Sequence, residues 1–186
     1  MRTMSDVHRS LARFAAAALG SDWEVRMSDD GGAWKRPAVL VIPTGPLSDA
    51  GGSQFVSELV QPWAMYAYPP VGTSPDDSLL KAQVIADKVN DAVRFGVVAG
   101  VQVDKARPLR IPLYLYDGVA LGTAATVRAP ADYLRVSDLA VETVQDPNSR
   151  ALFTVTVELR LRWRRAPKLG VQGALIDVVP VHVSGP

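Results

Sequence analysis

The sequence contains no cysteine and only two histidines among its 186 residues. The lack of cysteine excludes disulfides, thiol nucleophiles and cysteine-ligated metals, and it fits a reducing compartment. His8 and His182 lie near opposite ends of the chain. We expect His8 to be a solvated residue on the polar side of a helix. His182 stands between two valines, a setting more typical of packing or exposure than of catalysis.

The sequence also lacks an excess of charge of either sign. The net charge is +1, which gives no global field to attract nucleic acid or an anionic membrane. No apolar run reaches the roughly 18 residues that a membrane span needs. Charged residues interrupt the N-terminal segment where a signal peptide would have its apolar core. These features predict a cytoplasmic chain without a membrane partner.

Motifs for catalysis and for cofactor binding are missing as well. There is no Gly-x-Ser-x-Gly nucleophile elbow and no glycine-rich phosphate loop. Asp76 and Asp77 are explained by helix capping rather than by metal binding. The run Asp29–Gly32 matches too little of the calcium-loop pattern and is interpreted as a turn. The sequence therefore predicts no enzyme activity, no cofactor and no metal.

The strongest positive signal is the stretch Phe153–Arg164, in which apolar residues alternate with polar or charged ones. Side chains alternate between the two faces of a strand, so this period predicts a half-buried β-strand. The turn-forming residues Gln145–Ser149 precede it. A long antiparallel hairpin is expected, with Leu134–Val144 and Leu152–Arg164 as its arms.

Two segments carry the spacing of amphipathic helices. Met4–Leu19 places its apolar residues on one stripe and is followed by Gly20, a typical helix terminator. In the second helix Ser74 is the expected cap and Pro75 the first helical residue. Its predicted apolar face comprises Leu79, Ala82, Ile85, Ala86, Val89, Ala92 and Val93.

Shorter strands and one long loop complete the pattern. The loop Pro43–Ser53 has two prolines and three glycines without periodicity, so we expect it to be exposed and mobile. Pro62 is expected at the start of a strand or at a sheet edge. Val97–Val103 fits either a strand or an extended loop. The predicted strands are Trp23–Met27, Ala38–Ile42, Trp63–Tyr68 and Arg110–Tyr116, with Leu175–Val183 as a possible last edge strand.

Together these elements predict one α+β domain spanning residues 1–186. Its expected core is a single twisted, mostly antiparallel sheet with two amphipathic helices on one face and a long C-terminal hairpin. The parts are a helix in 1–20, a second helix in 74–96, the hairpin in 133–165 and an extended tail in 167–186.

Arginine is concentrated in and near the hairpin, at positions 128, 135, 160, 162, 164 and 165. This concentration fits either a solvated sheet face or a face that meets another subunit or a polyanion. We expect the strand end to project past the core, which would place Trp163 near a subunit boundary. Glu142 across the hairpin, an acidic patch on a neighbour, or DNA could then balance the charge. The candidate interface comprises Arg160, Arg162, Trp163, Arg164 and Arg165, with Thr44, Leu47, Ser48 and Asp49 from the loop.

The order of elements resembles the tail terminator, or tail completion, proteins of long-tailed bacteriophages, especially those of actinobacteria. The resemblance rests on the helix Val7–Leu19, the strand Trp63–Tyr68 followed by Pro69 and Pro70, the capped helix Ser74–Phe95, and the run from Tyr133 to Trp163. It implies a small α/β domain that forms a hexameric ring. Such a ring caps the tail tube and joins it to the head-side connector at the neck of the virion. It implies no catalytic residues.

Three other functions stay open. The chain could be another connector subunit, such as a stopper or head-completion protein; a tube protein is disfavoured by the two clear helices. It could be a small-molecule-binding or enzymatic α/β domain, against which the missing motifs argue. It could bind nucleic acid, against which the low net charge argues, although DNA could pass through a ring without being read.

Overall fold

The computed structural model describes residues 4–29, 37–53, 56–98, 101–102, 109–114, 128–146 and 152–165. Two helices and a seven-stranded, mostly antiparallel sheet confirm the predicted fold class. The helices are α1 (Met4–Leu19) and α2 (Pro75–Phe95). The strands are β1 (Glu24–Arg26), β2 (Ala38–Pro43), β3 (Ser48–Ser53), β4 (Val56–Tyr68), β5 (Val97–Val98), β6 (Val101–Gln102), β7 (Arg110–Tyr114), β8 (Arg128–Gln145) and β9 (Phe153–Arg165).

The sheet is organised around the paired strands β4 and β9. Its order is β1-β2-β4-β9-β8-β7. β2 pairs with the C-terminal half of β4, and β3 pairs with the N-terminal half. β1 runs parallel to β2, whereas the other pairs in this sheet are antiparallel. β5 and β6 form a separate small hairpin after α2. Strands β8 and β9 form the predicted long hairpin.

The alternation of β9 separates two faces of the sheet, as predicted. Its odd-numbered residues from Val155 to Trp163 are buried with both helices in one apolar core. We call this side the helix face and the opposite side, which carries the even-numbered residues of β9, the outer face. The expectation that Trp163 lies beyond the core is wrong, because this side chain is only 3% exposed. The reason is that β4 extends to Val56 and pairs Leu59 with Trp163, so the core continues beneath the end of β9.

Helix α2 begins and ends where the sequence predicted. The Ser74 side chain accepts a hydrogen bond from the Asp77 backbone N–H at 3.1 Å, which satisfies one of the unpaired donors of the first turn. Pro75 follows at the first helical position. Gly96 ends the helix with φ of 65°, a left-handed conformation that glycine adopts without steric cost. The predicted apolar face is confirmed by the buried residues Ala82, Ile85, Val89, Ala92 and Val93.

His8 on α1 is half-buried, so its prediction as a solvated surface residue is wrong. Its Nε2 lies 2.7 Å from the Val41 carbonyl oxygen, and its ring centroid lies 5.0 Å from that of Trp63. Since a carbonyl oxygen only accepts, Nε2 carries the proton in this hydrogen bond. The buried arc of α1 is wider than the predicted apolar stripe, because Ala12 is also buried. His8 falls within that arc.

The segment predicted as the loop Pro43–Ser53 contains strand β3, which is a correction to the sequence analysis. Ser48–Ser53 pairs with Val56–Val60 across a bulge next to Asp49. Backbone groups alone form this ladder, so a glycine-rich segment can join the sheet without an alternation of apolar and polar side chains. Gly51 and Gly52 have φ of 114° and 150°, values that other residues rarely adopt.

Pro62 lies inside β4 and not at its start, because that strand is 13 residues long. The Pro62 carbonyl accepts a hydrogen bond from the Thr44 N–H at 3.1 Å, between the end of β2 and the start of β3. In an antiparallel strand the N and the C=O of one residue point to the same side. The missing N–H of Pro62 therefore faces the gap between two partner strands, where the loss of a donor is tolerated.

Several sequence predictions lie outside the described residues, among them His182, the strand Leu175–Val183, the tail 167–186 and the end of the strand Arg110–Tyr116. The short strand near Trp23 and the strand from Ala38 are confirmed. Neither described helix has the length and apolar character needed to cross a membrane.

Candidate subunit interface

Five arginines meet on the outer face of the sheet, and we call them the arginine patch. Three lie along β9 at every second residue, namely Arg160, Arg162 and Arg164. Strand alternation places them on one face about 7 Å apart. The other two are Arg135 of β8 and Arg110 of β7, which the strand register brings beside Arg162.

The register makes a cross-strand row of three arginines. Arg162 lies directly opposite Arg135, and Arg135 lies directly opposite Arg110. Residues directly opposite on antiparallel strands have Cβ atoms about 5 Å apart, and like charges in such pairs destabilise the sheet. Arg135 is exposed, whereas Arg110 and Arg162 are partly buried. This row works against the stability of the isolated fold, so its arginines point to a role outside the fold.

Three carboxylates adjoin the patch. Asp138 lies opposite Arg160, Glu58 lies opposite Arg164, and Glu158 lies two residues before Arg160 on the same face of β9. Glu58 Oε1 is also 3.9 Å from Arg162 Nε, a long ion pair in which that Nε is buried without a hydrogen-bond partner. Glu142, one of the partners considered from the sequence, lies opposite Thr156 instead. Five arginines against three carboxylates leave the patch with a net positive charge.

The predicted loop residues are only partly brought to this patch. Ser48 pairs with Val60, which pairs with Arg162, so the three residues stand in one row on the outer face. Two segments more than 100 residues apart in the sequence therefore converge. Asp49 takes the opposite face by strand alternation, and its Oδ1 accepts a hydrogen bond from the Gly51 N–H at 2.8 Å.

The remaining predicted interface residues lie elsewhere. Thr44 and Leu47 belong to the short connection between β2 and β3, where Leu47 is 38% exposed. Trp163 faces the core, as described above. Arg165 pairs with Ser57 through the backbone at the end of β9.

A groove of about 370 Å³ opens beside the patch where β3 meets β4. It is lined by Gly52, Val56, Glu58 and Arg164. The absence of a side chain at Gly52 is required here, because an added Cβ would lie 2.2 Å from the Val56 carbonyl oxygen. The groove adds a concave edge to a surface that is otherwise a sheet face.

Sequence reasoning missed Arg110, Glu58 and Asp138 as members of this surface. Arg110 and Asp138 lie on predicted strands, but a single strand does not reveal its partner residues. Glu58 lies before the predicted strand Trp63–Tyr68, in the part of β4 that the sequence analysis did not include. The like-charged row arises from the register of β7, β8 and β9, and a shift of one residue would move its members to the other face.

Asp76 and Asp77 lie in the first turn of α2 and have a structural explanation. The Asp77 carboxylate accepts from the Thr73 N–H at 2.8 Å and lies 2.9 Å from Lys81 Nζ. The hydrogen bond from Lys81, followed by that from Thr73, lowers the pKa of Asp77 below its usual value. Among the described residues no three His, Cys, Asp or Glu side chains are grouped closely enough to hold a metal ion.

No protein-family model matches this chain, and comparison with curated proteins finds no match.

Proposed function

We propose that this chain is a tail terminator subunit of a long-tailed bacteriophage. In this function copies of the chain form a homo-hexameric ring at the neck of the virion, after assembly in the host cytoplasm. The ring caps the tail tube, meets the head-side connector or stopper protein, and lets DNA pass through its channel without reading the sequence. The proposal includes no catalysis, no cofactor and no membrane.

The observation that supports the proposal best is the arginine patch. A structural ring subunit needs surfaces that are shaped for association rather than for its own folding. The cross-strand row of Arg162, Arg135 and Arg110 destabilises the isolated fold. Ser48 extends the same row. The second support is the resemblance in element order. The two helices have the bounds that the sequence indicated, and the long hairpin is present, although β8 begins at Arg128 rather than at Leu134.

Electron microscopy and mass measurement of the purified protein test the proposal. We expect ring-shaped particles of six chains, and these should bind at one end of purified tail tubes. The variant R160E/R162E should fold with an unchanged circular dichroism spectrum and lose assembly. A control with a charge reversal away from the patch, at the exposed Lys88 of α2 (K88E), shows whether charge reversal alone has this effect.

The structure to which the rings bind distinguishes a tail terminator from a stopper or head-completion protein. Rings attached to the head-side connector but not to tubes would favour a stopper or head-completion protein. A chain that stays monomeric at all concentrations, with and without tubes, would contradict both functions.

A further inference from the structure

The outward side of α2 carries a second charged surface, of the opposite sign to the arginine patch. Asp76, Leu80, Val84, Asp87 and Asp91 are spaced at three or four residues, which places them on one stripe of the helix. This stripe lies opposite the buried face that includes Ile85 and Val89. We call it the α2 stripe. All five residues are exposed, and Leu80 and Val84 are 61% and 53% exposed.

We propose that the α2 stripe of one copy docks on the arginine patch of the next copy. The inference rests on the proposed ring function and names the two surfaces that would join its subunits. α2 covers the helix face of the sheet, whereas the patch lies on the outer face. The contact is therefore heterologous, and a heterologous contact builds closed rings or open filaments.

Charge favours a second copy over a nucleic acid as the occupant of the patch. The patch combines five arginines with Glu58, Asp138 and Glu158. The stripe combines three aspartates with Arg94, which lies on the same side one turn beyond Asn90 and donates to it at 2.8 Å. Each surface has a majority of one sign and a minority of the other. A phosphate backbone, which is uniformly negative, would leave the three carboxylates facing like charge.

The arginine patch and the α2 stripe also both include exposed or partly buried apolar residues. Val60 and Pro62 lie on the outer face of β4 beside the patch, and both are only partly buried. Leu80 and Val84 occupy the middle of the stripe, between its acidic ends. An apolar centre with a charged rim is the usual anatomy of a protein interface.

A charge-swap experiment tests the pairing. The patch variant is R135E/R160E and the stripe variant is D87R/D91R. Each should keep the wild-type thermal denaturation curve, because all four residues are exposed, and each alone should remain monomeric where the wild type assembles. An equimolar mixture should recover assembly, since each variant then meets a complementary partner through both of its surfaces.

Two results would overturn the inference. Rings formed by the stripe variant alone would show that α2 is not at the contact, and the ring function would stand. Failure of the equimolar mixture to assemble, with both variants folded, would also reject the pairing. A stripe variant that assembles while the patch variant binds a short duplex DNA less tightly than the wild type would assign the patch to a polyanion.

Discussion

The two faces of β9 differ in what their residues contribute. On the helix face Val157, Leu159 and Trp163 are nearly inaccessible and join one core with both helices. On the outer face Arg160 and Arg164 are exposed, and Arg162 stands opposite another arginine. One strand therefore carries residues that hold the fold and, one position away, an arginine whose like-charged cross-strand neighbour tends to weaken it. The comparison predicts that mutations on the helix side change stability and that mutations on the outer side change association.

The largest effect is expected for a charge placed in the core. Val89 on α2 is 3% exposed, so Val89→Asp leaves a carboxylate buried without a partner and should cost at least about 3 kcal/mol of unfolding free energy. Chemical denaturation measures the loss. Lys88→Asp, one residue along the helix and exposed, is the control. Equal stability of both variants would mean that the helix is rotated relative to the sheet.

The next effect is the removal of Trp163. Trp163→Ala should lose about 3–5 kcal/mol by leaving a cavity in the core, whereas Arg160→Ala on the other face should change stability by less than about 0.5 kcal/mol. Denaturation of the two variants side by side gives the comparison directly. A Trp163 variant as stable as the Arg160 variant would restore the original prediction that this tryptophan lies past the core.

A smaller effect is expected at the start of α2. Ser74→Ala should lose about 1 kcal/mol, because the Asp77 N–H then has no side-chain acceptor. Ser74→Asp keeps an acceptor at this position and should retain most of the stability. If the alanine variant unfolds at the same denaturant concentration as the wild type, the cap contributes nothing measurable.

The predictions from sequence succeeded where the physics is local. The Ser74 cap, the bounds of α1 and the alternation of β9 depend on neighbours within a few residues, and all three are confirmed. β3 was missed because its glycines leave no side-chain period and its pairing depends on β4. The arginine row could be anticipated only in part. A bulge between Val136 and Asp138 shifts the register of the predicted hairpin, and no local pattern shows that β7 pairs with β8. His8 was misassigned because the burial of its ring depends on Val41 and Trp63, which no helical pattern reveals.

The unfolding free energy should also depend on pH through His8, which lies on the helix side of the sheet. Burial lowers the pKa of His8 below its usual value of 6.5, with a further lowering by Arg9 and an opposing effect of the Val41 hydrogen bond. The unfolded chain therefore binds a proton at a higher pH than the folded chain does. The contribution of His8 to stability is complete above about pH 6.5 and is lost as the pH falls through the folded pKa.

A substitution isolates this contribution from that of other groups. His8→Gln retains an N–H that can donate to Val41 but does not titrate. Unfolding free energies measured from pH 7.5 downward should decline more steeply for the wild type than for the variant below pH 6.5. Parallel curves over this range would show that the His8 pKa is the same in both states.

The smallest expected effect on stability, and the only one predicted to be favourable, belongs to Arg135. Its cross-strand neighbours on β7 and β9 are both arginines. Arg135→Ser therefore removes two like-charge contacts and should raise the unfolding free energy by a few tenths of a kcal/mol. Arg160→Ser, opposite Asp138, loses an attraction and should show a change of similar size and opposite sign. The difference between the two variants should shrink in high salt, because both contacts are near the surface. A loss of more than about 1 kcal/mol for Arg135→Ser would mean that the outer face also holds the fold, and the division between the two faces of β9 would fail.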